Sequence, residues 1–168
     1  ERALIDEATA VFSRFSGEPP KGWLGPWISQ SPVTPDLLAE AGYSYLLDWC
    51  MDDQPVWMTT RGGGRIMAMP YPQELNDIPS IVARKDSAAQ FADMIIGNFE
   101  EMLHQSRLQP LVMGIALHPY IVGQPYRLRE LRRCHRSHHQ HAPRDIPLAQ
   151  LIGLSGAHHG EPRRAGAL

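Results

Sequence analysis

The chain has 168 residues, 43% of them hydrophobic and 20% charged, with a formal net charge of −2. Those values fit one globular domain and exclude wholesale disorder. They give no global pull toward nucleic acid or an anionic membrane, and no apolar run approaches the length of a membrane span.

Two cysteines, Cys50 and Cys134, stand far apart and form no CxxC pattern, so ordinary thiols and a cytoplasmic setting are expected. Glu1 to Asp6 carries no signal-peptide pattern. The absence of a start methionine suggests a chain that begins inside a longer one. Basic residues are 14 Arg against 2 Lys, a bias that points to a GC-rich coding sequence rather than to a function.

Leu4, Ile5, Ala8, Val11, Phe12 and Phe15 recur at helical spacing, and Gly17 fits a helix stop. Gly22 to Trp27 is short and extended. Thr34-Pro35-Asp36 starts a helix, with Thr34 as its N-cap and Pro35 at the first position; Gly42 ends it. Tyr43 to Leu47 reads as a buried strand ending at Asp48-Trp49. Val56–Thr59 and Arg65–Ala68 flank Gly62-Gly63-Gly64 and predict a hairpin. The triglycine lacks the GxxxxGK[ST] pattern of a phosphate loop and is read as a flexible turn.

Pro70 to Pro79 reads as a loop. Asp86 is placed to cap an amphipathic helix running to about Ser106, with Phe91, Ile95, Phe99, Met102 and Leu103 on one face. Pro110 to Leu117 predicts a strongly apolar strand, followed at once by His118-Pro119-Tyr120, and a last helix begins at 125. Alternating helices and strands of this kind argue for parallel α/β architecture. About four strands are too few for a closed barrel, where roughly eight are common.

After about residue 131 the character changes. Six of the eight histidines lie between 135 and 159, and eight of the fourteen arginines lie from Arg127 onward. Residues 1–131 are therefore read as one domain and 132–168 as a His/Arg-rich tail, either a natural flexible segment or sequence from another frame. The run His135, His138, His139, His141 could ligate Zn²⁺ or Ni²⁺ adventitiously, but HxxHHxH is not a defined site. No aromatic residue is interleaved there to stack bases, so no nucleic-acid partner is expected.

Polar residues at the C-terminal ends of strands line the active sites of α/β barrels. Trp23 to Trp27, Asp48-Trp49 with Asp52 and Asp53, and His118 occupy such positions. A carboxylate and an imidazole on neighbouring strand ends form an acid/base pair. The plain alternatives stand beside this: a structural histidine, a strand end and a solvated turn.

The ordered strings sharpen the choice. Leu24-Gly25-Pro26-Trp27, Tyr45-Leu46-Leu47-Asp48-Trp49 and Ile115-Ala116-Leu117-His118-Pro119-Tyr120 resemble, in order and rough spacing, the third, fourth and last motifs of the polysaccharide-deacetylase (NodB-like) superfamily. With Asp52-Asp53-Gln54-Pro55, Glu74-Leu75-Asn76-Asp77 and Gly123-Gln124-Pro125 they look like its allantoinase-like and peptidoglycan-deacetylase-like branch, over residues 1 to about 131.

The resemblance implies the C-terminal part of a deformed (β/α) barrel, incomplete in this chain, and hydrolysis of an amide or N-acetyl C–N bond. It implies His118 as the acid, with Asp48 as its partner or part of the wall. Trp23, Trp27 and Trp49 would shape the pocket. Asp52, Asp53, Glu74, Asn76 and Asp77 would lie near the substrate, a small amide, ureide or N-acetylated sugar. The family's divalent metal, of zinc type, belongs to motifs that should precede residue 1, so no metal is expected to be held by this chain alone. Leu24 stands where the sugar deacetylases carry an Arg, which points toward a small amide or cyclic ureide. No membrane partner is expected, and a homo-oligomer is compatible with an open sheet. Two other readings remain: a non-catalytic remnant or binding module with the same fold, and a metal-binding or interaction protein using the tail.

Overall fold

The computed structural model describes residues 1–141, with side chains in the final helix as far as Ser137. The first helix, α1 (Arg2–Ser16), ends at Gly17, whose φ of 85° lies in the left-handed region glycine adopts without strain. Its N–H closes the last turn on the Ser13 carbonyl at 2.9 Å.

Four short strands follow: β1 (Gly22–Trp23), β2 (Tyr45–Leu46), β3 (Val56–Thr59) and β4 (Arg65–Ala68). They form one sheet in the order β1-β2-β4-β3. The pairs β1–β2 and β2–β4 are parallel, and β3 is antiparallel to β4 in the expected hairpin. Gly22 permits the first pairing, because a Cβ there would fall 2.2 Å from the Tyr45 ring. Helix α2 (Thr34–Glu40) connects β1 to β2. Its N-cap is Val33 rather than Thr34; the Thr34 hydroxyl instead accepts the Ser31 N–H at 2.9 Å and bonds the Glu1 carboxylate. Asp36 of α2 holds the hairpin turn by accepting the Arg61 N–H at 2.6 Å and its guanidinium at 2.8 Å.

Two apolar clusters hold these elements. Ile5, Leu38, Tyr43, Leu46, Ile66 and Ala68 join α1 and α2 to the sheet. The second cluster centres on α3 (Ala88–Gln105), whose Phe91, Ala92, Ile95, Phe99 and Met102 form one buried face. It packs against α4 (Pro119–Val122) and α5 (Pro125–His141). The cap of α3 is Ser87, in a reciprocal capping box with Gln90. Asp86, the expected cap, accepts from Ser80 Oγ at 2.8 Å and Arg84 at 3.1 Å instead.

Three further features differ from the sequence reading. The run Pro110–Leu117 forms no ladder; it makes one parallel bridge, Asn76 to Ala116. Its neighbour is the stretch from Pro70, and Pro70 and Pro72 have no N–H to give a ladder. Gly114 passes so close to that stretch that a Cβ would meet Pro72 Cδ at 2.7 Å. The end of the expected Pro70–Pro79 loop enters a π-helical turn (Ile78–Arg84) closed by Lys85 at φ 66°. Helix α5 continues past residue 131 to His141, with Cys134 buried against α3. The remaining 27 positions, 142–168, lie outside the described residues, so most of the expected tail lies there too.

Candidate active site

The bridge at Ala116 brings Asp77 and His118 together. Ala116 N–H bonds the Leu75 carbonyl at 2.9 Å, and Asp77 N–H bonds the Ala116 carbonyl at 3.2 Å. This brings the chain just after Asn76 alongside the chain just after Leu117. Asn76 is 6% exposed, and its carboxamide accepts the Ile78 N–H at 3.1 Å, turning the chain into the π-helical segment. Asp77 is left fully buried, pointing at His118.

The grip is two-pronged. Asp77 Oδ2 accepts the His118 backbone N–H at 2.7 Å, and Oδ1 lies 2.6 Å from His118 Nδ1. Pro119 starts α4, with His118 as its N-cap in extended conformation, so the His-Pro pair ends the extended run and turns the backbone. A carboxylate on Nδ1 fixes the ring plane and tautomer and leaves Nε2 as the working nitrogen. The His118 side chain is 26% exposed, and Tyr120 packs on the ring edge-on with centroids 5.7 Å apart.

Asp48 was expected either as the partner of the imidazole or as part of the wall, and the structure gives the partner's place to Asp77. Asp48 makes no hydrogen bond to His118. It stands just past β2, 8% exposed, where Oδ1 accepts the Gly25 N–H at 2.5 Å and Oδ2 has no partner. Burial pushes its carboxyl above the ordinary carboxylate range, against the opposing pull of the Gly25 amide.

The expected aromatic wall is dispersed. Trp23 packs into the α1–α2 cluster and meets Tyr43 edge-on at 5.6 Å. Trp27 is 88% exposed, and Trp49 is partly exposed. Asp52, Asp53 and Glu74 do come together: with Cys50, Gln73 and Asn98 they line a groove of about 590 Å³ between the β2 end and α3. Val112 N–H ties the groove's floor to the Asp53 carbonyl at 2.9 Å. Asn76 and Asp77, expected at the substrate, are buried polar groups of the scaffold. The metal that the resemblance implies finds no fit: among the described residues no three His, Cys, Asp or Glu side chains group so as to hold an ion.

The imidazole held on a buried carboxylate at the end of an extended segment is an arrangement that can donate or accept a proton, and it accompanies a mostly parallel sheet of the α/β kind. No family model matches the chain, and no curated protein matches it. Solved structures do. The crystal structure of PuuE allantoinase superposes with a TM-score of 0.75 at 26% identity. A "probable polysaccharide deacetylase" from Pseudomonas aeruginosa PAO1 superposes with a TM-score of 0.75 at 25% identity. Each match covers 84% of this chain and 47% of the solved one. The chain is related to the NodB-like deacetylase superfamily, and its fold is a partial barrel of that type, spanning about half the length of the structures it matches.

Proposed function

We propose that this chain supplies the proton-donating part of a hydrolase acting on a non-peptide C–N bond, an amide, ureide or N-acetyl group. The matched allantoinase and deacetylase belong to hydrolases of that kind, which supports the reading at that level. The observation that carries it is the two-pronged hold of Asp77 on His118. A ring so fixed can deliver a proton from Nε2 to a departing nitrogen without first finding its orientation. Asp77 is a positioning residue, since it is wholly buried and reaches substrate only through the ring.

The described residues include no cluster for a divalent ion, so the water-activating step is assigned to groups outside them. Since the metal-holding motifs of the resemblance are not matched in this sequence, the purified chain is expected to show no turnover of allantoin or of an N-acetylated sugar. Turnover by the purified chain, abolished by His118→Ala, would contradict the division of labour proposed. In a longer protein that contains this chain and is active, His118→Ala should lower kcat by roughly 10²–10⁴ and leave KM nearly unchanged. Unchanged kcat would leave His118 a structural N-cap and nothing more.

A further inference from the structure

Helix α1 carries two different faces. Ile5 is buried in the core, and Arg2, Thr9, Phe12 and Ser13 are half-buried on the same side. Arg2 pairs there with Glu40, and the Thr9 hydroxyl lies 2.8 Å from that of Tyr43. Roughly 120° round the helix, Leu4, Ala8, Val11 and Phe15 stand exposed. At 3.6 residues per turn these four fall within an arc of roughly 60°. Their spacing of four, three and four is that of the a and d positions of a coiled-coil seam, a narrower stripe than a core-facing helix presents.

The charges beside the stripe select what covers it. Glu7 and Arg14 stand seven residues apart on its open flank, both exposed, and among the described residues neither belongs to an ion pair. The Arg14 guanidinium lies 4.9 Å over the Phe15 ring, which keeps it along the seam. The other flank holds Ile5 and Phe12, buried and half-buried. A second α1 laid antiparallel over the first sets Leu4 against Phe15 and Ala8 against Val11, each pair twice by two-fold symmetry. The small Ala8 lets the helix axes approach at the centre, and the large layers close the ends. In that register Glu7 of each copy falls beside Arg14 of the other. In a parallel pair the two would face the positions of Ile5 and Phe12 and meet no opposite charge.

We propose that α1 is a self-association helix, through which two copies of this chain pair antiparallel, with the Leu4–Phe15 and Ala8–Val11 layers between them and Glu7–Arg14 contacts along one flank. The occupant is a second copy because the pattern is complementary to itself, apolar against apolar and each charge against its opposite. The contact is isologous and closes at two copies, whereas an open strand edge can go on adding chains. Each helix has 15 residues and is about 22 Å long, so the contact is below standard size and the dimer dissociates on dilution.

Sedimentation of the purified chain over a dilution series tests this. Wild type should move from monomer to dimer as concentration rises. Glu7→Arg and Arg14→Glu should each weaken the dimer at least about fivefold at low salt, since two attractive contacts become two repulsive ones, and the loss should shrink at high salt. The two changes combined restore the pairing with the signs exchanged and should return the affinity to within about twofold of wild type. An equimolar mixture of the two single variants should form the heterodimer in preference to either homodimer. Net charge alone cannot imitate this, because Glu7→Arg carries the chain from −2 toward zero and Arg14→Glu carries it further negative. A wild-type chain that is monomeric at every concentration overturns the proposal and leaves the stripe to a different partner. A dimer indifferent to both single variants overturns it too and moves the contact to the strand edges. A double variant no better than the single ones excludes the antiparallel register and with it the proposal.

Discussion

Asp48 and Asp77 are both buried carboxylates, and they differ in what meets them. Asp77 has both oxygens engaged by His118, whereas Asp48 has one oxygen engaged and one empty. An unmade bond to a buried polar atom costs about 1–3 kcal/mol. Burial raises the Asp48 carboxyl above its ordinary value of 3.8, so protonation of this group is more favourable in the folded than in the unfolded chain. That preference contributes fully below 3.8 and is lost as pH rises through the raised value. Asp48→Asn should therefore be more stable than wild type at neutral pH by about 1 kcal/mol, and the gap should close on acidification. Chemical denaturation at several pH values checks this; a constant gap would mean that the carboxylate is not the source. For Asp77→Ala the opposite sign is expected at neutral pH, a loss of about 2 kcal/mol, since the His118 N–H is left unpaired. Thermal or urea melts measure that loss directly.

His118 was legible because an apolar run ends on it abruptly and a proline follows. Its partner was not. Asp77 stands 41 residues away, and nothing local separates it from Glu74, which is exposed. Only the bridge at Ala116 decides which acid of that run turns inward.

At the scale of elements, periodicity served where one face meets one core. The stripe of α3 came through intact, and so did the hairpin around its glycines, with Gly63 at φ 79° in the turn. It failed where pairing depends on the neighbour. An apolar run such as Pro110–Leu117 reads as a strand, but a ladder needs donors on both sides, and Pro70 and Pro72 withhold them. Helix α5 was cut short because its composition turns basic, while its inward residue, Cys134, keeps it on α3. The Cys134 thiol lies 3.5 Å from the Ala92 carbonyl, and burial pushes its pKa up to about 11. At pH 8 that leaves roughly one thiolate in a thousand, so a disulfide reagent should find it inert. Cys50 is exposed. Thiol titration of the native chain should therefore count one fast group, and titration in denaturant two. Two fast groups in the native protein would show that α5 does not dock on α3 as described.

At the scale of the whole molecule, the described residues leave large apolar side chains and strand edges uncovered. Among the described residues β1 pairs only with β2 and β3 only with β4, so within them both flanks of the sheet carry unpaired backbone groups. On α1, Leu4, Val11 and Phe15 are 67%, 47% and 78% exposed, and they fall on one side of the helix at spacings of seven and four. Ile5 is the one residue of that helix which is buried. An exposed apolar stripe of this kind, like an open strand edge, favours association, since each large side chain taken from water contributes about 1.5–3 kcal/mol. The purified chain should therefore self-associate in a concentration-dependent way. Leu4→Lys with Phe15→Lys should weaken that association at least ~tenfold, because two of the largest apolar groups leave the stripe and two charges enter it. Neither side chain belongs to the buried cluster around Leu38 and Leu46, so the melting transition of the variant should stay close to that of wild type. Light scattering across a dilution series measures the first effect and thermal unfolding at low concentration the second. A wild-type chain that stays monomeric at all concentrations would show that the α1 stripe is tolerated in water, and the association argument would then have to rest on the strand edges alone.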